Sequence, residues 1–192
     1  MTSRPAWLTW GLALALLSAV VVRLIVGMHI CDDAFITFRY SQQIAAGHGF
    51  FFDSYEPAAL LAVPARFGVD LPSFTFVLAM LCDLVMLTMV ASMLRRLGYP
   101  LAALLSGVAI AMAPAVVTYS VSGMETSLYV ALVIAAFWAL QRERWTTAAV
   151  VAGAAWFCRP DGALVVAAVG GLALWSLPIR RAGFRRTRLE RK

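Results

Sequence analysis

Charge is scarce in this sequence: 14% of its 192 residues are Asp, Glu, Lys or Arg, against 62% hydrophobic, at a mean hydropathy of +0.82. That balance excludes an ordinary soluble globular domain and describes an integral membrane protein. Lysine is nearly absent, with Lys192 alone beside fifteen arginines, a bias of codon composition more than a property of the fold. Cysteine is confined to Cys31, Cys82 and Cys158, an odd number without metal spacing, so there is no disulfide framework and no cysteine metal site. Cys82 and Cys158 fall in apolar runs and read as packing residues. Acidic residues number ten against sixteen basic ones, and residues 180–192 hold the whole excess of +6. Beside an apolar segment, that tail reads as a cytoplasmic flank drawn to anionic membrane lipids, not as a nucleic-acid site. No small-residue cleavage pattern follows the first apolar run, which is therefore a retained anchor. There is no internal repeat and no separate soluble domain.

What the sequence has in abundance is apolar runs of spanning length. Residues 7–29 are long enough at about 1.5 Å per residue to cross a hydrocarbon core of roughly 30 Å. Further runs occupy 74–94, 100–119 and 124–140. Arg4, Arg95 with Arg96, Arg142 with Arg144, and the tail recur after every second crossing, which puts both termini in the cytoplasm and residues 30–73 outside. The run from 146 to 178 is interrupted by R-P-D-G at 159–162. Two short limbs meeting there, of about 20 and 25 Å, leave their apex below the outer surface, where broken backbone survives only inside protein or beside water. The expected architecture is all-α: a polytopic transmembrane helix bundle of about six segments over residues 1–179, followed by the basic cytoplasmic tail 180–192. Within the outer loop, Phe35, Ile36, Phe38, Tyr40 and Ile44 recur at helical spacing between Asp32 and Gly47, predicting an amphipathic interfacial helix. A second short helix is expected at 58–67.

Few side chains in such a chain are able to carry chemistry. Asp32 and Asp33 open the interfacial helix, where one is expected to act as N-cap while its neighbour favours the helix dipole. Two adjacent carboxylates also repel, which is one way a carboxylate is tuned as a base. Arg39, seven residues after Asp32, shares its helical face and is placed to hold that carboxylate or a substrate phosphate. Ser122 and Glu125 form the S-x-x-E pattern of a capping box, and Glu125 emerges on the same outer face as the aspartates. Arg159 and Asp161 flank Pro160 at the recessed apex, either as a local ion pair stabilising the break or with Arg159 offered to an anionic ligand. Arg23 and Asp83 are charges within the membrane, at depths that fit a mutual salt bridge. His48 lies in the outer loop as a loop residue or a substrate contact.

In chain order, D-D-A-F-I-T-F-R-Y (32–40), G-H-G-F (47–50), S-G-M-E-T (122–126) and R-P-D-G (159–162) resemble the N-terminal half of bacterial C-type glycosyltransferases. The nearest branch is the polyprenyl-phosphate-dependent mannosyl and arabinofuranosyl transferases of actinobacterial cell envelopes, and the likeness covers about residues 7–178. It implies that Asp32 or Asp33 is the catalytic base, deprotonating an acceptor hydroxyl while a sugar leaves polyprenyl phosphate with inversion. It also implies that Glu125 lines the acceptor or sugar site and that Arg159 steadies the donor phosphate, with Arg39, His48 and Asp161 as further substrate contacts. The implied partners are a polyprenyl-phosphate-linked sugar, an envelope glycan or lipid acceptor and membrane lipids, with no nucleic acid or cofactor; no metal ligand is assigned, and the sequence does not disclose a metal requirement. The implied location is the plasma membrane. The chain departs from the pattern twice. Pro57 runs directly into Ala58 where relatives carry a G-x-T-S/T-P-L-W-like segment, and about six crossings stand where such enzymes have several more, so a truncated copy with an internal loop deletion is expected. Two other classes stay open: a non-catalytic protein that binds lipid-linked sugar or partners a larger transferase, and a small transporter that would use Asp83 and Arg23.

Overall fold

The computed structural model describes residues 6–48 and 58–189, and all regular structure among them is helical. Nine helices follow in order among these residues: α1 (Ala6–Val26), α2 (Asp32–Ala45), α3 (Ala58–Arg66), α4 (Leu71–Arg96), α5 (Pro100–Met112), α6 (Pro114–Val121), α7 (Thr126–Gln141), α8 (Trp145–Cys158) and α9 (Gly162–Leu189). The segment around Phe50 and the Pro57 junction, on which the expected loop deletion rests, lies outside the described residues.

Among the described residues two helices, α1 and α4, are long and apolar enough to cross a membrane, and α5 with α6 form a third such unit bent by 50°. α7, α8 and the Gly162–Ser176 part of α9 are apolar but shorter. The packing supports the same environment. Alanines fill the contacts, with Ala103, Ala111, Ala136, Ala139, Ala148 and Ala155 wholly buried, while Trp10, Ile25, Leu164 and Trp175 face outward. Small residues inside and large apolar ones outside is the pattern of helices packed in lipid, where close backbone approach replaces the hydrophobic drive of a soluble core. The molecule is thus a membrane-embedded helical protein.

Each break has a local cause. The 100–119 run, expected as one crossing, is divided at Ala113–Pro114. Pro114 brings no N–H and disfavours helical geometry in the residue before it, and Ala113 is accordingly extended at φ −61°, ψ 121°. The same rule sets Arg159 at φ −149°, ψ 142° ahead of Pro160, dividing α8 from α9 where R-P-D-G predicts it. Gly162 then approaches α8 so closely that a β-carbon would stand 2.3 Å from the Trp156 nitrogen and 2.4 Å from the Ala155 carbonyl. Only glycine fits that reversal. α9 continues helically to Leu189, through the boundary expected at 179/180.

The expected Arg23–Asp83 pair forms and has additional partners. Both side chains are buried, 2.7 Å apart, and Arg23 Nε donates to Asp83 at 2.7 Å. Ser120 joins from α6, hydrogen-bonded to the Asp83 carboxylate. Arg23 Nη1 donates to the carbonyls of Ala19 at 3.0 Å and Ala111 at 3.1 Å. The Ala111 carbonyl is one that the break at Pro114 releases from the helix ladder. One guanidinium therefore ties α1, α4, α5 and α6 together.

Candidate functional site

At the end of the bundle where α6 turns into α7, the linker after α1 is stitched to that turn by two backbone bonds. His29 N–H donates to the Val121 carbonyl at 3.0 Å and Cys31 N–H to the Ser122 carbonyl at 3.1 Å. Gly123 sits in this turn at φ 78°, and a β-carbon there would meet Ile30, Ala34 and Phe38 at 3.1 to 3.3 Å. Glycine satisfies both the left-handed backbone and the contact with α2. As a result α2 begins directly on the turn that leads to Glu125, and the D-D and S-G-M-E-T motifs become neighbours.

Their capping roles differ from those expected. The N-cap of α2 is Cys31, without a side-chain cap bond, so Asp32 and Asp33 occupy the first turn and act through the helix dipole alone. Both are exposed, as are Arg39 and His48. Among the described residues neither aspartate pairs with Arg39; seven residues along a helix is about 10 Å, too far for a direct bond. The S-x-x-E box does not close either. Ser122 ends α6, its hydroxyl donating to the Tyr119 carbonyl at 3.1 Å, and Glu125 precedes α7 in helical conformation without a side-chain cap bond. The glutamate is free for another partner.

That partner is Arg159. Its Nη1 lies 3.7 Å from Glu125 Oε1 and its Nη2 3.5 Å from Asp161 Oδ2, while the guanidinium stands 5.6 Å from the Tyr129 ring centre. Both ion-pair distances exceed the 2.7–2.9 Å of a charge-assisted hydrogen bond, so the planar fork is oriented by two carboxylates without being saturated by either. It is one-third exposed. Tyr129, one turn after Glu125, was not among the expected residues, although i and i+4 positions share a helix face.

Glu125 also lines a small open groove between α2 and α3 on one side and α4 and α7 on the other, together with Thr37, Leu61, Thr75, Ala79 and Leu128. The groove lies below the end of the bundle. Gln141 Nε2 donates to the Met93 carbonyl at 3.0 Å, which fixes the far end of α7 against α4. From there α7 rises only about 24 Å and reaches the level of Thr75–Ala79, leaving α4 to run on about 6–12 Å further to Leu71. Helices α2 and α3 close over that recess through Ala34, Phe38, Leu61 and Leu71, and turn Phe35, Ile36, Val63 and Phe67 outward. Arg66 Nη1 donates to the Ala45 carbonyl at 3.1 Å and ties the two helices together.

Of the residues expected at the site, Glu125, Arg159 and Asp161 thus form one cluster. Asp32 and Asp33 adjoin it through the backbone, whereas Arg39 and His48 are exposed on α2 and just beyond it. Among the described residues no group of three His, Cys, Asp or Glu side chains is arranged to hold a metal ion. No protein-family model, curated protein or solved structure matches the chain.

Proposed function

We propose that this chain is a membrane glycosyltransferase of the C type, or a part of one, moving a sugar from a polyprenyl-phosphate donor to an envelope acceptor. The observation that carries the reading is Arg159: an unsaturated guanidinium, oriented between Glu125 and Asp161, next to the largely apolar groove that Glu125 lines. An anionic group on an apolar chain is the ligand such a site suits, since phosphate accepts bidentate bonds from the fork while the chain lies along Leu61, Ala79 and Leu128. In this reading Asp32 or Asp33 takes the proton of the acceptor hydroxyl, and Glu125 and Asp161 contact acceptor or sugar once phosphate engages Arg159. The topology that accompanies it has six membrane segments in the plasma membrane, both termini cytoplasmic and the groove facing out.

A second reading, a non-catalytic module that binds lipid-linked sugar, is favoured by the exposure of both aspartates, which lack a groove wall of their own. One assay separates the two. Purified protein is offered radiolabelled polyprenyl-phosphate sugars and envelope acceptors, and wild type is compared with Asp32→Asn and Asp33→Asn. Transfer that falls at least about a hundredfold in one variant supports the enzyme. Donor binding without any transfer by wild type supports the module.

A further inference from the structure

The opposite end of the bundle carries a second convergence of charge, which the groove does not use. Between α7 and α8 the chain reverses at Glu143, φ 58°, with Arg142 as the C-cap of one helix and Arg144 as the N-cap of the next. Arg142 Nη2 donates to Ser92 Oγ at 2.9 Å, and its guanidinium lies 3.9 Å over the Trp138 ring. With the Gln141–Met93 bond, these contacts hold the turn against the last turns of α4, which end in Arg95 and Arg96. Lost hydration, then the charges of Arg96 and Arg144, push the Arg142 guanidinium down from its ordinary value. Three guanidinium groups share one corner, and Glu143 is the single acid in the turn.

Two further features bear on what such a corner holds. Helix α8 starts there with no side-chain cap and no acidic residue in its first turn, so its N-terminal N–H groups add to the positive potential. Beside α4's end, Leu97, Tyr99 and Leu101 are about three-fifths exposed, an apolar and aromatic fringe of the kind that lies at the headgroup level. We propose that Arg96, Arg142 and Arg144 form a phosphate-binding site at this end of the bundle, occupied by the headgroup of an anionic lipid. Arg142 cannot swing away from its neighbours because Ser92 and Trp138 hold it, so the repulsion is relieved by a shared anion. Planar forks suit phosphate oxygens, and the exposed leucines and tyrosine give the lipid's apolar part a place to lie. Free phosphate offers the same chemistry without that apolar part.

Native mass spectrometry of the full chain in neutral detergent tests the site, with dioleoyl phosphatidylglycerol, dioleoyl phosphatidylcholine and inorganic phosphate as probes. Arg96→Gln with Arg144→Gln removes two exposed charges and leaves the packing of Arg142 intact. Wild type should retain one phosphatidylglycerol in preference to phosphatidylcholine, and the double variant should lose affinity on the order of tenfold or more. Retention of inorganic phosphate that the same variant abolishes would also support the site, with a free anion as its occupant. A matched change of two tail charges, Arg185→Gln with Arg186→Gln, is the control. Equal loss in the tail variant would show diffuse attraction and overturn the site, as would equal retention of the two lipids by wild type. Because the groove by Arg159 also suits a phosphate on an apolar chain, the double variant is made on an Arg159→Gln background as well: a further loss of phosphatidylglycerol there supports this site separately from the groove, and no further loss would overturn it.

Discussion

Arg23 and Arg159 both face carboxylates, yet their surroundings give them different tasks. Arg23 is wholly buried, 2.7 Å from Asp83, with two carbonyls and Ser120 completing its shell. Removing one member of such a pair leaves an uncompensated charge, so Arg23→Met or Asp83→Asn should each cost about 3–5 kcal/mol. Replacing both with apolar residues should recover most of that loss. Unfolding in mixed micelles measures it, and single variants within about 0.5 kcal/mol of wild type would contradict the account. Arg159, by contrast, is one-third exposed and loosely held at 3.5 and 3.7 Å, so Arg159→Gln should change stability by no more than about 1 kcal/mol while affecting ligand binding. Gly162 is a residue of a third kind, fixed by its backbone. Gly162→Ala drives a β-carbon into Ala155 and Trp156, forces the R-P-D-G turn open and should destabilise by about 1–3 kcal/mol in the same unfolding assay. An unchanged stability would mean that the turn is looser than its geometry indicates.

At the scale of elements, helix ends decide where the site lies. Helix α4 starts at an Asp70 N-cap, which accepts from Ser73 N–H at 3.0 Å. The Ser73 hydroxyl first, then its N–H, hold the Asp70 carboxyl below its ordinary value of 3.8. A folded value lower than the unfolded one means that the cap's contribution is present above about pH 4 and is lost as pH falls through the folded value. Amide protection at Ser73 and Phe74 should therefore drop in acid for wild type and stay level for Asp70→Asn, which caps without titrating. A level profile for both would remove the cap from the account. The R-P-D-G break and the α2 and α3 segments were legible because Pro, Gly and apolar spacing act locally. The break at Pro114 was not: proline is tolerated within membrane helices, and hydropathy runs on unchanged across it. The caps expected from one of the two aspartates and from Ser122 do not form, for a related reason. Cys31 holds the N-cap of α2 and Glu125 that of α7, while Ser122 ends α6, where its carbonyl accepts from Cys31 N–H.

For the molecule as a whole, membrane character was plain from composition, and the Arg23–Asp83 pair followed from counting depth along two helices. Ser120 and Tyr129 escaped notice because their partners are set by how neighbouring helices pack, which a linear pattern does not record. The same packing brings the linker between α1 and α2, the turn at 122–125 and the apex at Arg159 to one end, with Arg96, Arg142 and Arg144 at the other. In the function we propose, the first of these ends binds a phosphate on an apolar chain. Equilibrium binding of radiolabelled polyprenyl-phosphate sugar to the purified full chain, wild type against Arg159→Gln, tests it most directly. Saturable binding by wild type that weakens about tenfold or more in the variant is the predicted result. Equal binding by the two proteins, or none by wild type, would contradict it.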